Sequence, residues 1–266
     1  MGGCVSSLHK HLFERGGFIS HLPLSSLLAI AFFSLLFTPS THAASGKVGI
    51  NFWTTDYGGS VSNSWLATNV NVGVVAQTNW NNVKTPFFMG DNLSASNFVT
   101  GAGEATRMSM YVDCGWAGYG EARTSGVPAT ATEKMLNGRL TAHYGLNVNL
   151  SMDEVPFEVY DVYVFVSGLG SDETFTITSE GYSGPPTYCL RAGEPTSYSS
   201  FYQATSTNPA SPTAGANYVR FQNVQDSSFS IYFAAPGDPQ GKKRIYGIQI
   251  IEVDATSESA AMIIGR

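Results

Sequence analysis

The stretch EVYDVYVFVSG, Glu158–Gly168, constrains the fold more than any other part of the chain. Successive side chains of a strand point to opposite faces. Here Val159, Asp161, Tyr163 and Phe165 oppose Tyr160, Val162, Val164 and Val166. A strand that is apolar on both sides belongs in the middle of a sheet, covered above and below. Other stretches alternate more simply. ATRMSMYVD (Ala105–Asp113) sets Thr106, Met108, Met110 and Val112 against Arg107, Ser109 and Tyr111, so one face is buried. KVGINFW (Lys47–Trp53) reads as the first strand, and Leu146, Val148 and Leu150 mark another. ETFTITSEG follows the turn GLGSD, which predicts a hairpin with the central strand. SSFYQATS, NYVRFQNV, SFSIYFAA and RIYGIQIIEV continue at regular spacing with turn residues between them. This pattern predicts an all-β fold, a sandwich or a barrel. ATEKMLNGRL (Ala131–Leu140) is the one helical stretch, with Met135, Leu136 and Leu140 on one side. Gly138 disfavours helix there, so at most one short helix is expected.

Residues 1–43 read as a signal peptide. Lys10 and Arg15 precede the apolar run LLAIAFFSLLF (Leu27–Phe37), and small residues lead to Ala43. The run falls short of the ~20 apolar residues a bilayer span needs. No integral membrane segment is expected once the leader is removed. MGGCVSS at the start also fits a myristoylation pattern through Gly2 and Ser6, with Cys4 as a palmitoyl site. The export signal that follows outweighs it. Residues 44–254 then form one sandwich domain, and ATSESAAMIIGR, 255–266, is an unstructured tail without a core pattern.

Charge and residue inventory narrow the chemistry. The leader holds two of the 14 basic and one of the 20 acidic residues, so the remainder carries a net charge of about −7. An acidic chain does not suit a phosphate backbone, and KKR (Lys242–Arg244) reads as a solvated turn; nucleic acid is not expected as a partner. His143 is the one histidine beyond the leader, and no G-x-S-x-G elbow accompanies it, so a Ser-His-acid triad lacks its parts. Zinc needs more His and Cys ligands than His143, Cys114 and Cys189 provide. The two cysteines are a candidate disulfide pair in an oxidising compartment. Asp153–Glu154 and Asp172–Glu173 are adjacent acids, and neighbours on a strand face opposite ways, which weighs against a glycosidase pair. No cofactor is expected. A structural calcium held by loop oxygens, with Asp56 and Glu252 as candidate ligands, is the inorganic alternative.

Sugar recognition needs an aromatic platform with a few planar hydrogen-bonding groups beside it. Four clusters qualify: NFWTTDYGG with Trp53, Asp56 and Tyr57, NSWLATN with Trp65, NWNN with Trp80, and CGWAGYGEAR with Trp116, Tyr119, Glu121 and Arg123. For NWNN a buried corner competes with a binding turn, and the apolar run into Trp80 favours the corner. CGWAGYGEAR is the strongest, read as a loop opened by its glycines; the competing reading packs Trp116 over Cys114. The candidate ligand-binding residues are therefore Trp116, Tyr119 and Arg123, with Asp56 and Tyr57 as neighbours.

KVGINFW, GVVAQTNWNNV, MLNGRL, VYDVYVFVSG, NYVRFQNV with SFSIYF, and YGIQIIEV occur in an order that resembles a domain of exported bacterial surface proteins, the type often followed by a PEP-CTERM sorting tail. That domain is similar to galactose-binding-like jelly rolls, the scaffold of many carbohydrate-binding modules. The resemblance spans Lys47 to Val253 and implies a jelly-roll sandwich, a secreted or cell-surface location, and glycans or extracellular polysaccharide as partners. It implies no catalytic residues. Asn92-Leu-Ser and Asn149-Leu-Ser match a glycosylation acceptor pattern that would be silent in a bacterial protein. The expected function is an exported non-catalytic carbohydrate-binding module. A structural or adhesive surface protein is the alternative, ahead of a glycan hydrolase.

Overall fold

Fourteen strands and one short helix arise from this sequence in the computed structural model, which describes residues 46–54, 64–85, 92–113, 118–122, 128, 130–142, 148–166, 172–191, 200–234 and 243–253. All of these belong to one compact unit, residues 43–266. The strands are β1 (Lys47–Trp53), β2 (Asn81–Lys84), β3 (Leu93–Ser96), β4 (Ser109–Asp113), β5 (Gly118–Ala122), β6 (Gly138–Ala142), β7 (Val148–Asp153), β8 (Tyr160–Val166), β9 (Asp172–Thr178), β10 (Thr187–Arg191), β11 (Thr213–Ala214), β12 (Tyr218–Val224), β13 (Phe229–Ala234) and β14 (Lys243–Glu252). The helix, α1, is Ala131–Met135.

Two seven-stranded sheets face each other. The first runs β12-β8-β14-β1-β2, with β6 on β14 and β5 on β6; the second runs β11-β10-β9-β13-β7-β4-β3. From β7 to β9, and again from β12 to β14, each successive strand lies in the other sheet. That alternation is how a double-sheet jelly roll closes, and the fold is an all-β sandwich of this kind. It also overturns the expected hairpin after β8. β8 pairs with β12 and β14, while β9 pairs with β10 and β13 in the opposite sheet. The reason lies in their patterns: β8 is apolar on both sides, whereas β9 alternates Phe175 and Ile177 with threonines and needs only one covered face.

Between the sheets sits the main core. Val48, Ile50 and Phe52 of β1, Val162, Val164 and Val166 of β8, and Ile248 and Ile250 of β14 meet Met110, Val112, Leu150, Phe175, Ile231 and Phe233 of the second sheet. A bulge in β14 between Ile245 and Gly247 inserts Tyr246 as an extra residue, so Ile245 and Ile248 share the core face although three apart.

The other face of β8 explains its double apolarity. Tyr163 and Phe165 join Tyr218, Tyr246, Leu66, Val72, Trp80, Met135 and Leu136 in a second cluster on the outside of the first sheet. This cluster is roofed by residues 64–80, by α1 and by Phe201. α1 is held at its start by a capping box in which Thr130 Oγ1 accepts from Glu133 N (3.1 Å) and Glu133 Oε2 accepts from Thr130 N (3.0 Å). It ends after one turn and the chain enters β6, so Leu140 faces the main core rather than the helix. A side chain at Gly138 would strike Ser64 and the Phe52 carbonyl. The KKR turn is corrected too. Arg244 lies on β14 opposite Thr141 and is 2% exposed.

Candidate functional site

NWNN is a structural corner. Trp80 is 3% exposed, and its indole Nε1 donates to the carbonyls of Val72 and Gln77 at 3.2 Å. Its ring lies against Gly49 of β1, where an added Cβ would come within 2.6 Å of Trp80 Cε3. The asparagines around it bond the backbone. Asn81 Nδ2 donates to Gly49 O and Val99 O, both at 2.9 Å, and its Oδ1 accepts from Val99 N. Asn79, with φ of 52°, donates to Gly101 O at 2.8 Å. Planar amides that suit a sugar suit a turn equally well, and here the turn uses them.

Asn82 has a different consequence. It lies opposite Asn51 on the outer side of the parallel pair β1–β2. Its Oδ1 accepts from Leu66 N (2.9 Å) and Asn51 Nδ2 (2.9 Å), and its Nδ2 donates to Leu66 O (2.8 Å). Asn51 Nδ2 also donates to Ser64 O at 2.7 Å. Both chain neighbours of Trp65 are therefore clamped to the sheet, Ser64 and Leu66 being fully buried. Trp65 itself stands out at 45% exposed. Its ring meets Trp53 edge-on, with centroids 5.3 Å apart and planes at 84°. Lys84 Nζ lies 5.6 Å from the centre of the Trp53 ring, within reach of a cation–π contact. The fold thus unites two of the sequence's aromatic clusters, from NFWTTDYGG and NSWLATN, into one rigid indole pair with an ammonium beside it.

The remaining candidates are distributed as follows. Asp56, Tyr57, Trp116, Arg123, Cys114 and His143 lie outside the described residues. Tyr119 sits on β5 opposite Thr141 of β6, and Glu121 opposite Arg139. The middle of CGWAGYGEAR is therefore an edge strand rather than open loop. Cys189 is buried on β10 opposite Thr174, and its N donates to Ser206 O at 2.7 Å. Of the calcium candidates, Glu252 accepts from Gly46 N through Oε2 at 2.8 Å. Among the described residues no three His, Cys, Asp or Glu side chains gather closely enough to hold a metal ion. Asp153 closes β7 and Glu154 follows with φ of 55°, both exposed.

Sequence reasoning missed the outside of the second sheet. Tyr111 on β4 is 43% exposed and Tyr232 on β13 is 40% exposed. Each holds the polar parity of its strand, in line with Ser109 and Asp113 or with Ser230. That parity was the available signal.

No family model matches the chain, and no curated protein sequence does. Several solved structures resemble it at low similarity. TmCBM61 in complex with β-1,4-galactotriose is 10% identical, with 55% of this chain and 88% of that chain covered and a TM-score of 0.31. A family 35 carbohydrate-binding module from Clostridium thermocellum is 11% identical over 54% and 92% of the two chains, with a TM-score of 0.32. The CBM22-1 xylan-binding domain of Paenibacillus barcinonensis Xyn10C is 17% identical over 63% and 98%, with a TM-score of 0.28.

Proposed function

We propose that this chain is an exported, non-catalytic module that binds carbohydrate at the Trp53–Trp65 pair. One observation carries the reading: an indole nearly half exposed stands between two fully buried residues, Ser64 and Leu66, each hydrogen-bonded to an asparagine of the sheet. A side chain needed only for packing would be turned inward. An exposed aromatic face stacks on the C–H face of a pyranose, and pre-ordering it lowers the entropy lost on binding. Lys84 supplies a donor for ring hydroxyls or for an acidic sugar's carboxylate. Asp56 and Tyr57, a few residues beyond Trp53, and Trp116, Tyr119 and Arg123 are proposed to complete the site. The leader 1–43 supports export, and glycans at the cell surface or in extracellular polysaccharide are the partners.

A glycan array probed with the wild type and W65A tests this. Binding should fall at least tenfold in W65A with the thermal midpoint unchanged within a few degrees. W116A and Y119A extend the test to the proposed neighbours. A folded wild type without a single glycan hit would overturn the reading and favour a structural or adhesive surface protein.

A further inference from the structure

The outside of the second sheet, on the opposite side of the sandwich from Trp53 and Trp65, follows a mainly polar pattern in which two large rings stand out. Thr174, Thr176 and Thr178 of β9, Ser230 of β13, Asn149 and Ser151 of β7, and Ser94 and Ser96 of β3 alternate with buried apolar residues. Tyr111 and Tyr232 occupy two positions of this pattern. Solvated faces of this kind have no need of large rings, and two of the most exposed apolar side chains in the described structure share this one.

Register fixes their relation. Tyr111 pairs with Ser151, Ser151 with Ser230, and Tyr232 lies two residues along from Ser230. Two strand spacings across and two residues along place the tyrosines about 12 Å apart. Asn149 and Ser151 lie between them, with Thr176 opposite Tyr232 on its far side. Asn92 Nδ2 donates to Tyr111 OH at 2.7 Å and steadies that ring. Beside the pair a polar cleft of about 510 Å³ opens over Ser151, Ser230, Thr178 and Ser228. The Ser151 and Ser230 hydroxyls touch at 3.0 Å on its floor. Asp153, Glu180 and Asp226 line one end of it, and the exposed Asp113 stands on the Tyr232 side of Tyr111.

We propose that this face is a second glycan-binding surface, and that its ligand is an extended neutral polysaccharide. Two rings this far apart, with hydroxyls and amides between them, match non-adjacent sugar units of a straight chain whose intervening unit lies over the polar groups. A rim of carboxylates accepts hydrogen bonds from sugar hydroxyls and repels uronates and sulfates. The module then grips two glycans, one on each side of the sandwich.

The test uses the full chain and soluble hexasaccharides of glucose, xylose and mannose, with hexagalacturonate as the charged comparator, each titrated by calorimetry. Y111T and Y232T keep strand-forming residues at both positions. Y202T, at an exposed tyrosine away from this face, is the control. At least one neutral hexasaccharide should bind, at least tenfold more weakly to Y111T and to Y232T, with Y202T at the wild-type value. D153N/E180Q should raise hexagalacturonate binding by at least threefold. Neutral binding unchanged in both tyrosine variants would overturn the proposal. So would hexagalacturonate bound more tightly than every neutral hexasaccharide. W65A reads the other surface, so failure of one proposal leaves the other standing.

Discussion

Removing the Asn82 amide should cost more stability than its position near a sheet edge suggests. Asn82→Ala deletes four hydrogen bonds: Leu66 N to Oδ1, Asn51 Nδ2 to Oδ1, Nδ2 to Leu66 O, and a longer one from Nδ2 to Trp80 O at 3.3 Å. Leu66 is fully buried, so water does not readily replace its two lost partners. A neutral bond contributes about 1 kcal/mol net, and a buried polar group left unsatisfied costs about 1–3 kcal/mol. Asn51 keeps its bond to Ser64 O and loses least. The expected loss is about 3–5 kcal/mol, set against a total of roughly 5–15 kcal/mol for an ordinary domain. Urea unfolding at 25 °C, followed by circular dichroism, reads this as a lower midpoint with an unchanged slope. N51A should cost less, and the double variant less than the sum, because the two residues share a bond. Acrylamide quenching of the folded variant should rise as residues 64–66 loosen and Trp65 leaves Trp53. A loss under about 1 kcal/mol, with quenching unchanged, would refute the claim that these asparagines hold Trp65 in place.

Gly49→Ala should lower stability by about 1–3 kcal/mol, read as a fall in thermal midpoint, because the new methyl meets Trp80 and Gln77 at 2.6 Å in a closely packed layer. Arg220→Ala removes the cation from the buried Asp161 carboxylate, which keeps its hydrogen bond from Asn223 N. With Arg220 about a third exposed, the expected cost in urea unfolding is about 2–3 kcal/mol, below that of a fully buried pair. Stability should also decline in alkali. Burial pushes the phenols of Tyr160, Tyr163 and Tyr218 above their ordinary value of 10.0, with Asp226 adding to the effect at Tyr160. Below pH 10 both states hold these protons. Above it the unfolded chain releases them first, so stability falls as pH rises toward the folded values. Urea midpoints from about pH 9 to pH 11 should show the decline, and Tyr160→Phe should flatten it.

Much of the sandwich was legible because burial writes itself into strand parity. β8 declared both of its faces, and β4 and β7 declared one buried side each. Pairing partners were less legible. Nothing in ETFTITSEG says which sheet it joins, and the short link GLGSD invited a hairpin that β8's need for apolar cover on both sides forbids. GYGEA was read as loop because glycine weakens strands, yet at the end of the first sheet its backbone finds β6 as a partner. The Trp53–Trp65 contact depends on a parallel β1–β2 pair, whose long crossover brings Trp65 back beside β1, and long-range closure leaves no local signal. Tyr111 and Tyr232 were readable by parity.

β14 is the last of the described strands in chain order, and it holds β8, β1 and β6 together at the centre of its sheet. Lys47 pairs with Ile251, so the first strand waits for the last. During synthesis Val48, Ile50 and Phe52 have no completed sheet to join until residue 252 emerges. Pairings this distant in sequence form slowly and leave apolar strands open meanwhile. A stop anywhere before β14 yields a chain with every strand of the second sheet and a first sheet whose β8, β1 and β6 have lost the strand that joins them.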